Sequence, residues 1–192
     1  MPPKVKITKA QIIDTAVELV RVNGAHAINA RAIASALGCS TQPIFSNFAT
    51  MEELREATIK AVYEIYRGFL KREVESGEYP KYKAFGMAYI RFAKEEKELF
   101  KLLFMRDRTG EDEWVSPDFE ESAQMIMNAN GVTMEQARFM HLEIWTCVHG
   151  IGTMLATSFL PLEWDLISGM VTDVYQGIRT RHLSEETKDG CN

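Results

Sequence analysis

The chain has 192 residues, of which 46% are hydrophobic and 26% charged, and no apolar run reaches the roughly 18 residues that a membrane helix requires. The net charge is −5, yet residues 1–50 carry five basic and two acidic side chains, so a nucleic-acid partner is not excluded for this part. The three cysteines are far apart and fit no paired spacing, which argues against a disulfide framework and a cysteine-rich zinc site.

The first predicted helix begins after Thr8, because Thr8 and Gln11 have the spacing of a capping box. Apolar residues then recur at helical spacing from Ile12 to Val20, and Gly24 provides a stop. Asn29 is a suitable cap for a second, short helix. This pattern predicts two helices that each bury one face.

The second helix is predicted over residues 30–37, with Gly38 supplying the turn that follows it. Ser40 or Thr41 can cap a third helix, and Pro43 is tolerated in its first turn. We expect an apolar underside on this helix, formed by Ile44, Phe45 and Phe48.

The rest of the chain also has helical patterns and no sustained strand alternation. The predicted elements, in order, are a long helix from the Thr50 capping box to about Gly77, a helix from Pro80, an apolar segment 99–105, a polar loop 107–113, a helix from Ser116-Pro117 to Asn130-Gly131, a helix from the Thr133 box, and a last helix from Pro161. The fold class is therefore all-α with about nine helices. We expect a polar tail over residues 184–192.

A short helix, a glycine turn and a second short helix form the helix-turn-helix arrangement, whose second helix enters the major groove of DNA. Glutamine and asparagine can bind adenine through two hydrogen bonds, and serine or threonine can reach a base edge or a phosphate. These residue types occupy the outer positions of the third helix: Ser40, Thr41, Gln42, Ser46 and Asn47. The alternative is a three-helix piece of core whose short polar helix faces water.

The run from Thr8 to Leu54 resembles the DNA-binding domain of the tetracycline-repressor (TetR) family. The residues that carry the resemblance are Gly24, Ile28-Asn29-Ala30-Arg31-Ala32-Ile33-Ala34, Leu37-Gly38-Cys39-Ser40 and Ile44-Phe45-Ser46-Asn47-Phe48. The resemblance implies a transcriptional regulator of the repressor type. Its implied partners are a palindromic double-stranded DNA operator, a small-molecule effector that causes release, and a second copy of the chain as a homodimer. Separately, the lack of an apolar run of membrane length and of a signal-peptide pattern after Lys6 predicts a cytoplasmic protein.

The predicted domains are a DNA-binding domain over residues 1–50 and a ligand-binding and dimerisation domain over residues 51–183. The residues expected to contact DNA are Lys6, Lys9, Arg31, Ser40, Thr41, Gln42, Pro43, Ser46, Asn47 and Thr50. The sequence departs from the family pattern in two respects. Ala49-Thr50 replaces the lysine that often follows the aromatic at Phe48, and the usual aromatic and histidine residues of the recognition helix are here Phe45, Ser46 and Asn47. A helical ligand-binding dimer without DNA binding is therefore the competing hypothesis.

Aromatic residues and methionines in the second domain can line a pocket for an apolar ligand or fill a closed core. The candidate pocket residues are Phe92, Phe100, Phe104, Met125, Trp145 and His149. Trp145, His149 and Gly150 are similar to the Trp-His-Gly signature of one TetR subgroup. A histidine on an apolar helix face is also an ordinary core or interface residue.

The last two helices have apolar faces wider than one subunit can cover, which favours a four-helix bundle between two copies. The predicted interface comprises Ile144, Val148, Ile151, Leu155, Ile167, Met170, Val171, Val174, Tyr175 and Ile178. We expect no metal site and no cofactor. An enzyme is disfavoured because no GxSxG, GxGxxG, P-loop or HExxH motif is present.

Overall fold

The computed structural model describes residues 7–107, 109 and 117–189, and all regular structure within these residues is helical. The predicted all-α class and its nine helices are therefore confirmed for this part of the chain, which also contains a 3-10 turn over Ala25–Ala27 that the sequence did not predict. The helices are α1 Lys9–Asn23, α2 Ala30–Ala36, α3 Gln42–Asn47, α4 Met51–Ser76, α5 Lys81–Glu95, α6 Lys97–Phe104, α7 Pro117–Asn130, α8 Met134–Ala156 and α9 Trp164–Asp189.

Local hydrogen bonds fix the beginnings of several helices. The Gln11 main-chain N–H donates to Thr8 Oγ1 over 3.2 Å and the Thr8 N–H donates to Gln11 Oε1 over 3.0 Å, so the capping box before α1 is confirmed. Thr133 and Gln136 form the same pair of bonds before α8. The starts of α1 and α8 are therefore determined by residues only three positions apart in the sequence.

The last helix differs from the prediction at both ends. α9 begins at Trp164 rather than at Pro161, because the chain first passes through the exposed connection that follows α8. It then continues to Asp189, so the predicted polar tail is helical as far as that residue. The predicted Ser116 cap and most of the loop over residues 107–113 lie outside the described residues.

The chain forms two compact units, and neither is continuous in sequence. Unit 1 comprises the residues up to Gly68 together with Glu95–Arg106, and unit 2 comprises Phe69–Lys94 and the residues from Asp107 onward. The division falls inside α4, whereas the predicted boundary after residue 50 marks the start of that helix. Unit 1 therefore includes α6, although α6 lies between α5 and α7 along the chain.

Helix α1 is the centre of unit 1, because it contacts α2, α3, the 3-10 turn and α6. Its residues Ile12, Ala16 and Val20 are completely buried. The ring of Phe104 meets the edge of Tyr66 at 5.3 Å between centroids, which joins α6 to the first part of α4. An apolar face on α1 thus holds α2, α3 and α6.

Unit 2 is built around α8, which packs against α7 and α9. Arg91 on α5 donates to both carboxylate oxygens of the buried Glu73 on α4, over 2.8 and 3.2 Å. The Arg91 guanidinium also lies 4.2 Å from the ring centroid of Trp164 at the start of α9. This arginine links three helices. In the described part of the chain, every helix is too short or too polar to cross a bilayer.

Candidate nucleic-acid interface and effector cluster

Two short helices of unit 1, α2 and α3, form the helix-turn-helix. Asn29 caps α2 by accepting a hydrogen bond from the Ala32 N–H over 2.8 Å. Gly38 has a φ of +64°, a left-handed conformation that favours glycine, and it turns the chain toward α3. Thr41 occupies the N-cap position of α3 but its side chain makes no capping hydrogen bond, so the predicted capping role of its hydroxyl is wrong.

The apolar underside of α3 is smaller than the sequence predicted. Ile44 is completely buried and Phe48 is 1% exposed, as expected for residues that hold α3 against the rest of unit 1. Phe45, however, is 53% exposed, so its assignment to the underside is wrong. On a helix, residues 42, 45 and 46 lie on one side, and all three are exposed here. The outward face of α3 therefore combines Gln42 and Ser46 with an aromatic ring.

Two of the predicted base-contacting side chains are engaged with the backbone. Asn47 Nδ2 donates to the Pro43 carbonyl over 2.7 Å and to the Ile7 carbonyl over 3.4 Å. Ser46 Oγ donates to the Gln42 carbonyl over 2.9 Å. An asparagine amide has only two N–H donors, and recognition of adenine requires one of them. In this conformation Asn47 connects the segment before α1 to α3 instead.

Lys9 is also held by a partner within unit 1. Its ammonium lies 2.9 Å from a carboxylate oxygen of Glu53 and 4.5 Å from the centroid of the Phe48 ring. Glu53 accepts a second hydrogen bond from the Ala49 N–H over 2.8 Å, and Thr50 Oγ1 accepts one from the Glu53 N–H over 3.1 Å. The Lys9 hydrogen bond, followed by the Ala49 bond, holds the pKa of Glu53 below its ordinary value. Lys9 and Thr50 thus stabilise the start of α4.

The remaining predicted DNA contacts lie at the surface to different extents. Arg31 in the first turn of α2 and Ser40 in the turn before α3 are exposed. Thr41 and Pro43 are half-buried. Lys6 lies outside the described residues. Arg31, Ser40 and Gln42 are therefore exposed predicted contacts whose side chains the hydrogen bonds described above do not occupy, and the unpredicted Phe45 is exposed beside them.

A second group of polar and aromatic side chains lies in unit 2, between α5 and α8. Tyr89 Oη and His149 Nδ1 are 2.7 Å apart, and the Trp145 ring stacks on the His149 ring at 5.1 Å between centroids. Burial lowers the pKa of His149 and raises that of Tyr89. A neutral imidazole and a protonated phenol are therefore favoured at neutral pH. We call Tyr89, Trp145 and His149 the effector cluster.

The same two helices carry a second tyrosine–histidine pair. Tyr82 Oη lies 2.9 Å from His141 Nδ1, and the Phe119 ring meets the His141 ring at 4.6 Å. Burial lowers the pKa of His141 from 6.5 to about 4. The sequence reasoning missed this pair. Its signal was present in the spacing: the two tyrosines are seven positions apart and the two histidines eight, so each residue type recurs about two turns along its helix.

The six predicted pocket residues are divided between the two units. Phe92, Met125, Trp145 and His149 lie in unit 2, where Phe92 packs edge-on against Phe69 at 5.2 Å. Phe100 and Phe104 belong to unit 1, where their rings lie 5.2 Å apart. Phe100 is completely buried there. The candidate effector residues of unit 2 are therefore the effector cluster with Phe92 and Met125.

The predicted dimer residues are of two kinds. Six are buried within the single chain: Ile144, Val148, Ile151, Leu155, Ile167 and Val171. Four are half-buried: Met170, Val174, Tyr175 and Ile178. Tyr175 Oη also accepts a hydrogen bond from Asn130 Nδ2 over 3.1 Å. The exposed apolar side chains on α8 and α9 that the sequence reasoning missed are Phe139, Met154 and Leu166.

Two regions of the chain match descriptions of one protein family. Residues 12–58 match "Bacterial regulatory proteins, tetR family", and residues 82–171 match "Tetracyclin repressor-like, C-terminal domain". A solved structure of a TetR-like transcriptional regulator from Rhodococcus sp. RHA1 is similar with a TM-score of 0.63, at 15% identity over 96% of this chain and 98% of that chain. A comparison with curated proteins found no match. With both domains matched and the helix-turn-helix in place, the chain belongs to the TetR family and is a DNA-binding transcriptional regulator.

Proposed function

We propose that the protein is a homodimeric repressor that binds a palindromic operator in the cytoplasm and releases it when a small-molecule effector binds in unit 2. One observation carries the proposal. Helix α6 packs against α1 in unit 1, although the segments before and after it along the chain belong to unit 2. An effector that favours one position of α5 or α7 would therefore act on α1 through the covalent chain.

A salt bridge strengthens this connection at the start of α6. Arg21 Nε on α1 donates to Glu96 Oε2 over 2.8 Å, and Glu96 is the residue immediately before α6. The hydrogen bond that Arg21 donates to Glu96 is the main cause that raises the pKa of Arg21. Arg21 also pairs with Glu18 within α1. The bond to Glu96 is the polar contact through which a shift of α6 would reach α1.

The chemistry of the effector cluster suggests the class of effector. Ligand sites are mostly apolar and contain a few polar groups that orient the ligand. Trp145 and His149 provide stacked aromatic surfaces, and Tyr89 and His149 provide neutral hydrogen-bonding groups. We infer that the effector is an uncharged aromatic or largely apolar molecule. The likeness of Trp145, His149 and Gly150 to the Trp-His-Gly subgroup is consistent with this inference.

The homodimer is proposed to form through the outward sides of α8 and α9. Phe139, Met154 and Leu166 are exposed apolar residues on these helices, and Met170 and Val174 are partly exposed. A Cβ atom added at Gly150 or Gly169 would meet nothing within 4 Å, which leaves room for the close approach of another helix. Pairing two such surfaces about a two-fold axis would give a four-helix bundle. The buried members of the predicted interface would support this surface from inside.

The experiment that tests the proposal is binding-site selection from random DNA duplexes, followed by a screen of aromatic and apolar compounds for release of the selected duplex. We expect enrichment of a palindrome with half-sites about one helical turn, 34–36 Å, apart. At least one uncharged compound should lower the affinity for this DNA. Selection of no palindrome would contradict the proposed operator, and release by charged compounds alone would contradict the proposed effector class.

The role of Glu96 is tested by the variant Glu96→Gln. It should bind operator DNA normally, while the change in affinity caused by a releasing compound should fall roughly several-fold, within the range of ordinary allosteric coupling. Glu18→Gln is the matched control, because it removes the other carboxylate partner of Arg21 within α1. Equal loss of release in both variants would show that the bond to α6 has no special role.

A further inference from the structure

The exposed Phe45 on α3 is an unusual feature of the DNA-binding surface. Single exposed apolar side chains are common on protein surfaces, but this ring is 53% exposed between Gln42 and Ser46, on the outward face of the helix that enters the major groove. The core does not require it, because Ile44 and Phe48 already bury the opposite side of the helix. A role outside the folded chain therefore has to be considered.

The polar groups around Phe45 are limited as readers of DNA sequence. Both Asn47 donors are directed to main-chain carbonyls, and the Ser46 hydroxyl donates to the carbonyl of Gln42. On the outward side of α3, Gln42 and Phe45 are thus the two large side chains that extend from the surface. Gln42 can form hydrogen bonds with a base, whereas Phe45 can form only apolar contacts.

The major groove of DNA presents one apolar group, the C5-methyl group of thymine. We propose that Phe45 contacts a thymine methyl group in each half of the operator and so determines sequence specificity at that position. This proposal rests on the DNA-binding function of the helix-turn-helix and assigns a base contact to a residue that the sequence placed in the core. Cytosine and uracil lack the methyl group, so the ring discriminates against both.

The expected size of the effect follows from the burial of one methyl group. Such burial changes an equilibrium constant roughly fourfold. A dimer that makes the contact in both half-sites should therefore lose about fourfold in affinity for one missing methyl group and about sixteenfold for two, provided that the half-sites are independent.

Deoxyuridine substitution tests the contact directly, because it removes only the methyl group. In the operator obtained by selection, each thymine is replaced in turn by deoxyuridine, and the dissociation constant is measured for the wild type and for Phe45→Ala. We expect one symmetry-related pair of positions at which the wild type loses affinity and Phe45→Ala does not. Phe45→Leu, which keeps an apolar side chain, should retain part of the sensitivity if the alanine variant binds too weakly to measure.

Val22→Ala is the matched control, because Val22 is an exposed apolar residue of unit 1 that lies on α1 rather than α3. It should keep the full deoxyuridine sensitivity. The proposal is overturned if no thymine position is sensitive in the wild type, if Phe45→Ala retains the same sensitivity, or if Phe45→Ala weakens binding equally for every sequence. Binding of the unmodified operator is measured in each case, so loss of DNA binding as such is distinguished from loss of the interaction with the methyl group.

Discussion

Asn47 and Ile7 are joined by a hydrogen bond of 3.4 Å from the Asn47 amide to the Ile7 carbonyl, across 40 residues of sequence. The same amide donates to the Pro43 carbonyl over 2.7 Å. The pair connects the segment that leads into α1 with the last residue of the recognition helix α3. Asn47 therefore has the contacts of a positioning residue rather than those of a base-reading one.

The first prediction concerns this role. Asn47→Ala should weaken binding to the operator and to its single-base variants alike, by roughly threefold to tenfold, which is the usual worth of one or two neutral hydrogen bonds. Gln42→Ala should instead lose affinity at one base pair, by about 1–3 kcal/mol. Affinities for a panel of single-base operator variants distinguish the two patterns. A change of base preference in Asn47→Ala would identify this residue as a reader of adenine after all.

A second prediction concerns Arg31, which is exposed in the first turn of α2. Arg31→Ala should reduce affinity for all sequences, because an interaction with phosphate carries no sequence information. The slope of log K against log salt concentration should become shallower by about 0.9 for each phosphate that the variant no longer neutralises. Arg67→Ala on α4, which removes an exposed arginine paired with Glu64, is the control and should leave the slope unchanged. An altered base preference in Arg31→Ala would contradict a purely phosphate-binding role.

The third prediction tests the dimer surface at Gly150. A Cβ atom added at this position meets nothing within 4 Å in the protomer, so Gly150→Arg should fold normally and yet place a large charged group in the proposed helix contact. Sedimentation velocity should then show monomers at micromolar concentration. Gly68→Arg introduces the same residue at another open helical glycine and should leave the dimer intact. If Gly150→Arg remains dimeric, the interface lies elsewhere.

The fourth prediction is a pH dependence of stability that originates at His141. Burial lowers the pKa of this histidine from 6.5 to about 4, so between these values the unfolded chain binds a proton that the folded chain does not. The free energy of unfolding should fall as the pH is lowered through this window, and His141 alone should account for roughly 3 kcal/mol. Above about pH 6.5 the imidazole is neutral in both the folded and the unfolded chain, so His141 causes no loss of stability there.

Urea unfolding at several pH values provides the measurement. His141→Gln should show a smaller loss of stability between neutral pH and the acid end of this window, whereas His26→Gln, at an exposed position, should behave like the wild type. An identical pH dependence in His141→Gln and the wild type would mean that this imidazole is not kept neutral by burial.

Most helices and the capped ends of several of them could be predicted because they depend on neighbours within a few residues. The boxes at Thr8 and Thr133 and the cap at Asn29 are examples, since both partners of each hydrogen bond lie three residues apart. The error at Phe45 has a related cause. In a helix of six residues, periodicity cannot separate a buried aromatic residue from an exposed one, because too few turns define the buried face.

The partners of apolar and polar side chains could not be predicted in the same way. The pattern around Phe100 and Phe104 showed that both rings favour burial, but it did not show that they pack in unit 1 rather than with Trp145. Ile144 and Val148 were likewise predicted to lie between subunits, but both are buried within the single chain. The hydrophobic pattern is the same whether the covering surface comes from the same chain or from a second copy. Only the tertiary structure supplies that information.

The discontinuous unit 1 limits how this regulator can be divided or recombined. A fragment that ends at Gly68 would lack α6, so the apolar face that α1 presents to it would lie open to water and favour aggregation. A chimaera that joins this helix-turn-helix to the second domain of another regulator would inherit a foreign α6 against its own α1. Exchange of specificity between relatives is therefore expected to succeed by substitution on α3, or by transfer of α1 and α6 together, rather than by a single crossover.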